Sequence, residues 1–147
     1  MDYGAETARC VPAAFAGFDP RHVASLTPSQ IDSLLVDSEI IRHRQKAEAI
    51  VSNAAALGRI QVEVGSFDDY IWDFVRGSPL INHWRVQEQV PTATALSSEL
   101  SADLRRRGFR FVGPTICYSY LQAAGLVLDH VTRCFRFAEL AGWPSEV

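Results

Sequence analysis

The residues whose types and spacing could do chemistry gather in the last third of the chain. His130 and Cys134 stand four apart, a spacing that puts two helical side chains on one face. Imidazole and thiolate are both zinc ligands, but a structural zinc wants four, and this pair supplies two. Cys10 is far away in sequence, and His22, His43 and His83 show no paired spacing. By themselves His130 and Cys134 read as a chance pair at a helix end. Gly113-Pro114-Thr115 is a different kind of signal. Proline suits the first position of a helix, whose end offers unpaired N–H groups and partial positive charge. A glycine before it lets an anion come close to the backbone, so Gly113 and Thr115 are candidate phosphate contacts. An ordinary helical turn accounts for the same residues. Ser119 lies between Tyr118 and Tyr120. A hydroxyl among aromatic rings could hold an extruded base; the plainer alternative is a small residue facing another helix. Asp129 precedes His130 and reads best as the N-cap of a helix beginning there.

The elements that must position these residues read as helices. Thr27-Pro28-Ser29-Gln30 opens one with a capping box, and Ile31, Leu34 and Leu35 mark its apolar face. Ile40, Ala47, Ile50, Val51, Ala54 and Leu57 recur at helical spacing, predicting an amphipathic helix over Glu39–Leu57 that ends at Gly58. The alternation Ile60, Val62, Val64 has no partner strand in view, so 59–65 is expected to continue the helix or form a loop. Ser66 caps a short helix with Asp68 and Asp69 in its first turn, and Gly77 and Pro79 stop it. Residues 78–94 are expected to form a long surface loop. A helix follows from Ala95 to Arg107, with Gly108 after it. Another runs from Pro114 to Gly125. Two helices joined by a short glycine-bearing turn have the outline of a helix-hairpin-helix, and the chain is predicted to be all-α.

Composition is consistent with this. The chain has 147 residues, 48% of them apolar, enough for a real core. No apolar run approaches the roughly 18 residues that cross a bilayer, and Met-Asp-Tyr-Gly-Ala-Glu does not open a signal peptide, so a cytoplasmic protein is expected. Three cysteines argue against a disulfide framework. The net charge is −3, yet Arg105, Arg106, Arg107 and Arg110 cluster beside the hairpin, with Arg133 and Arg136 beyond. A local basic face can hold phosphates whatever the total charge, and Arg110 joins Gly113 and Thr115 as a candidate contact. A solvated helix end is the blander account.

Taken together, these pieces resemble the DNA-3-methyladenine glycosylase I family of helix-hairpin-helix enzymes. The run from Arg105 to His130 is similar to the family's signature. So are Phe18-Asp-Pro20, Ile40-Ile-Arg-His-Arg-Gln-Lys46 with Asn53-Ala54, Tyr70-Ile-Trp-Asp-Phe-Val75 and Pro91-Thr-Ala-Thr-Ala-Leu-Ser97, covering about Ala13 to Cys134. The resemblance implies hydrolysis of the N-glycosidic bond of alkylated adenine in double-stranded DNA, by a monomer. It implies that His130 and Cys134 are two of four structural zinc ligands, that Ser119 lies beside the base pocket and that the Gly113 turn grips the DNA backbone. In many enzymes of the wider class an aspartate shortly after the hairpin stabilises the oxocarbenium-like sugar, which makes Asp129 a weak catalytic candidate.

The departures from the family pattern are as informative. Its members begin with a cysteine and a histidine that complete the zinc site, then a Trp-Gly motif, then a glutamate and a tryptophan that hold the damaged base. Residues 1–12 do not resemble this segment, and Asn is usual where this chain has Leu128. The expectation is therefore a chain truncated at its N-terminus: a non-family tail over 1–12, a glycosylase-like domain over 13–137 with its hairpin at 108–125, and a tail over 138–147. The expected function is that of a DNA-3-methyladenine glycosylase I-like protein of base excision repair, which lack of the glutamate could leave inactive; the alternative is a non-catalytic DNA-binding remnant.

Overall fold

The computed structural model describes residues 15–37 and 43–142, and within them the chain divides into two compact units. The first contains the chain up to Gly65 together with Arg107–Phe111; the second contains Ser66–Arg106 and the chain from Val112 onward. The first unit closes a core of its own and includes a five-residue segment distant in sequence. Cys10 and the expected start of the long helix at Glu39–Arg42 lie outside the described residues.

In the first unit, a 3-10 turn at Ala16–Phe18 leads to α1 (Pro20–Ala24), α2 (Pro28–Asp37) and α3 (Arg44–Val64). Each start has a local cause. The Asp19 carboxylate accepts from the N–H groups of Arg21 and His22, and these bonds hold its pKa below the ordinary value. At α2 the expected box forms: Gln30 Oε1 accepts from Thr27 N at 2.8 Å, and Thr27 Oγ1 accepts from Gln30 N at 3.4 Å. His43 Nδ1 accepts from Lys46 N at the head of α3. Phe15, Val23, Ile31 and Ala47 form the core, with Leu26, Leu34, Leu35, Ile50, Val51 and Ala54 against it.

Helix α3 does not stop at Gly58; it runs to Val64, and Gly65, at φ 103, is its cap. The reason is a second buried stripe, Ala49, Ala56 and Ile60, on the side of the helix opposite Ala47 and Val51. An interior glycine costs about 1 kcal/mol relative to alanine. Burying Ile60 completely returns about 1.5–3 kcal/mol, so the helix continues. Val62, 90% exposed, belongs to its solvent side rather than to a strand.

The second unit begins with α4 (Phe67–Asp73), capped by Ser66, whose Oγ accepts from Asp69 N at 2.9 Å. Tyr70 is buried, and its hydroxyl donates to Asp103 on α5 (Ala95–Arg106). Helix α5 packs on α6 (Pro114–Ala123) through Ser97, Leu100, Ser101 and Leu104 on one side and Cys117, Tyr118 and Leu121 on the other. The buried serines are satisfied locally, Ser101 Oγ donating to Val112 O at 2.6 Å. The segment expected to be a plain loop is not one. It contains β1 (Leu80–Ile81), which pairs in parallel with β2 (Val127–Leu128), so a small sheet accompanies the helices. The C-terminal tail expected from 138 is helical up to Ala141, in α7 (Phe135–Ala141). Among the described residues no helix is long and apolar enough to cross a membrane.

Space around Gly58 is open, with nothing within 4 Å of an added Cβ. Gly58→Ala is therefore expected to raise stability by about 0.5–1 kcal/mol, read as a higher urea midpoint. A lower midpoint would show that the helix needs glycine there.

Candidate functional site

Asp129 is not a helix cap. No helix begins at His130, and α7 starts five residues later with Cys134 as its N-cap residue. Instead the Asp129 carboxylate gathers four donors from two places in the second unit. Asn82 Nδ2 and Trp84 Nε1 reach Oδ1 at 2.8 and 2.7 Å. Gln122 Nε2 reaches Oδ2 at 2.7 Å, and the Tyr118 hydroxyl also donates to Oδ2. Burial alone would raise the pKa of Asp129, but the bonds from Tyr118, Trp84, Gln122 and Asn82 outweigh it and hold the carboxylate below its ordinary value of 3.8. Tyr118 is affected the other way: burial, then the bond to Asp129 and its charge, push its hydroxyl well above the usual phenol range.

The backbone explains how these donors converge. β1 meets β2 through Leu80 N to Leu126 O and Asn82 N to Leu128 O, and Thr132 N donates to Trp84 O. Asn82 and Trp84, two apart in extended chain, then present their side chains on one face. Tyr118 and Gln122, four apart on α6, do the same. Both spacings stand in the sequence, yet neither Asn82, Trp84 nor Gln122 was singled out there, because no residue pattern announces that 78–84 docks beside 126–132.

His130 and Cys134 do come together, but through a turn rather than a helical face: Cys134 N bonds to Val131 O, and Sγ lies 3.8 Å from Nδ1. Two ligands on one tetrahedral zinc stand about 3.6 Å apart, so the pair has the spacing and donor chemistry of half a site. Among the described residues, no third histidine, cysteine, aspartate or glutamate joins them.

At the head of α6, Gly113 is the N-cap residue and no side chain caps the helix. The Arg105 guanidinium comes within 3.8 Å of where a Gly113 Cβ would stand, so a cation accompanies the bare helix end. Thr115 is exposed one residue after Pro114. Ser119 is also exposed rather than facing another helix, and its hydroxyl donates back to Thr115 O at 3.1 Å, leaving its lone pairs free to accept. Tyr120 beside it is partly exposed and meets the edge of Phe67 at 6.3 Å. Cys117 is sealed in, and burial pushes its thiol pKa up. The arginines differ from one another. Arg106 pairs with Asp103. In the first unit, Arg107 forms two bonds with Glu63, while Arg110 meets Glu48 only at 3.9 Å.

The sequence profile of the family described as Methyladenine glycosylase matches residues 9–137. The chain belongs to this family. It is 43% identical to DNA-3-methyladenine glycosylase 1 of Escherichia coli over 83% of its own length, and 44% identical to DNA-3-methyladenine glycosylase of Haemophilus influenzae over 82%. It spans 65% of the length of each of these relatives. A crystal structure of 3-methyladenine DNA glycosylase I superposes with a TM-score of 0.82 at 43% identity, covering 88% of this chain and 71% of that one. The Staphylococcus aureus enzyme gives 0.83 at 35% identity, over 88% and 69% of the two chains.

In this methyladenine glycosylase family member Asp129 is first an anchor. Asp129→Asn keeps the shape but loses the charge and turns an acceptor into a donor facing other donors. It should destabilise the chain by about 2–3 kcal/mol in urea melts at neutral pH. Because the folded pKa lies below the unfolded value near 3.8, the benefit of the charge is present in full above that value. The difference between wild type and variant should shrink as pH falls below it.

Proposed function

We propose that the protein acts in base excision repair as a DNA-3-methyladenine glycosylase, hydrolysing the N-glycosidic bond of alkylated adenine in DNA. Family membership over residues 9–137, together with the agreement of fold, carries this reading. In the reaction the C1′–N bond breaks, the base leaves with the bonding electrons, and water supplies the hydroxyl at C1′ while its other proton passes to solvent. The chain's own residues supply grip. The helix-hairpin-helix reading of α5 and α6 is supported by the uncapped Gly113 end with Arg105 beside it, a place for a backbone phosphate. Thr115 adds a hydroxyl there, and Arg110 is by itself a further proposed phosphate contact. Ser119, exposed with free lone pairs, is the substrate-side residue of this reading. The protein is taken to be a cytoplasmic monomer.

Zinc is the proposed metal, with the imidazole of His130 and the thiolate of Cys134 supplying two of the four ligands a structural zinc needs. When bound it would supply structural tethering, not chemistry. Metal analysis after dialysis should find zinc with the wild type and lose it with Cys134→Ser. An equal zinc content in both would refute the assignment.

Asp129 favours a second reading. A carboxylate already saturated by four donors has little left to offer a developing cation, so the same chain could grip DNA without cleaving it. One assay separates the two: free 3-methyladenine released from alkylated duplex, run beside duplex binding at several salt concentrations. Release above background supports the enzyme; binding without release supports the non-catalytic reading; neither activity overturns both. In the binding arm, Arg105→Ala should lower the slope of log affinity against log salt by about 1.

A further inference from the structure

Asn53 commits both ends of its amide to the main chain of one distant residue. Its Oδ1 accepts from Arg110 N at 2.8 Å, and its Nδ2 donates to Arg110 O at 3.1 Å. A side-chain amide bonding both groups of one residue imitates a strand partner and fixes that peptide in place. Further along α3, Arg59 Nη2 donates to Arg107 O at 2.8 Å, and the Arg107 guanidinium returns to Glu63. The loop 107–111 is thus fastened along the helix at both ends.

The fastening has something to oppose. Gly108 sits at φ +96 and Phe111 at φ 57. A phenylalanine in the left-handed region is strained and persists only where its surroundings over-determine it. The Asn53 bonds hold the residue immediately before it, and the His43 ring meets the edge of Phe111 at 6.5 Å. The held residue also bears the loop's most available charge. Arg107 is engaged with Glu63, whereas Arg110 has 45% of its side chain exposed and, among the described residues, pairs loosely with Glu48 at 3.9 Å. A rigid main chain under a long cation restricts where its guanidinium can go, which is the requirement for a register-fixing phosphate contact.

We propose that Asn53 is a positioning residue for DNA: by clamping the main chain of Arg110 it aims the Arg110 guanidinium at a backbone phosphate. This rests on the reading of the loop as a DNA contact. Asn53 itself touches no DNA, and acts only through Arg110.

The test is undamaged-duplex affinity against salt concentration, using the full chain as wild type, Arg110→Ala, Asn53→Ala, Asn53→Gln and the double variant Asn53→Ala/Arg110→Ala. Alanine and glutamine both favour helix, so α3 should form in every variant, checked by circular dichroism. Arg110→Ala should lower the salt slope by about 1. Asn53→Ala should lower it equally, although it removes no charge, and the double variant should lower it no further. Asn53→Gln, with its amide one methylene out of place, should match Asn53→Ala, and it decides the matter if the alanine variant fails to fold. An unchanged slope in Arg110→Ala would overturn the loop reading itself. A lowered slope there, with a wild-type slope in the Asn53 variants, would leave that reading standing and overturn the role of Asn53. So would a loss of affinity in Asn53→Ala that keeps the slope and adds to that of Arg110→Ala, since a general loss of folded protein behaves that way.

Discussion

A partly buried carboxylate with four donors is the constraint around which the second unit is arranged. The Asp129 charge is expensive to remove from water, and it is retained because Asn82, Trp84, Tyr118 and Gln122 replace its hydration shell. Each donor in turn fixes its own element: β1 and the chain after it through Asn82 and Trp84, α6 through Tyr118 and Gln122. Two-residue strands have little cohesion of their own. Their register, Leu80 opposite Val127, is held by side-chain anchoring at the end of the ladder as much as by the ladder itself. The same saturation that makes Asp129 a good anchor makes it a poor candidate for direct chemistry.

The fold was legible where a local rule sufficed. The Thr27–Gln30 box, the Ser66 cap and Pro114 at the head of α6 each depend on residues within one turn, and each helix starts where its cap stands. Gly58 misled because the burial of Ile60, which outweighs the glycine, depends on tertiary contacts that periodicity alone does not reveal. Segment 78–94 misled for the same reason. Its pairing partner lies 47 residues further on, and strands of two residues leave no alternation to recognise.

The candidate site divides along the same line. Gly113, Thr115 and the neighbouring arginines carry their meaning in their own types, so they could be picked out directly. His130 and Cys134 lie near one another through a turn rather than a helical face, since Asp129 is drawn inward and does not begin a helix there. Ser97 and Ser101 are the small buried residues between helices, and Ser119 faces out. Asn53 was visible only as part of a family resemblance, because its partner is a main chain, and main chains have no sequence signature.

The first unit is discontinuous: its body ends at Gly65, and its last strip of chain is Arg107–Phe111. A ribosome delivers residues in order, so α3 leaves the exit tunnel with nothing to clamp. Some forty residues of the other unit must follow before Arg110 emerges. Asn53, Arg59 and Glu63 wait in water during that interval, and the closing step joins two points far apart in sequence, an ordering that raises the entropic barrier to completion. The two units consequently cannot be made as independent cassettes. A truncation anywhere between 66 and 106 deprives α3 of the strip that binds it, even though that strip is only five residues long.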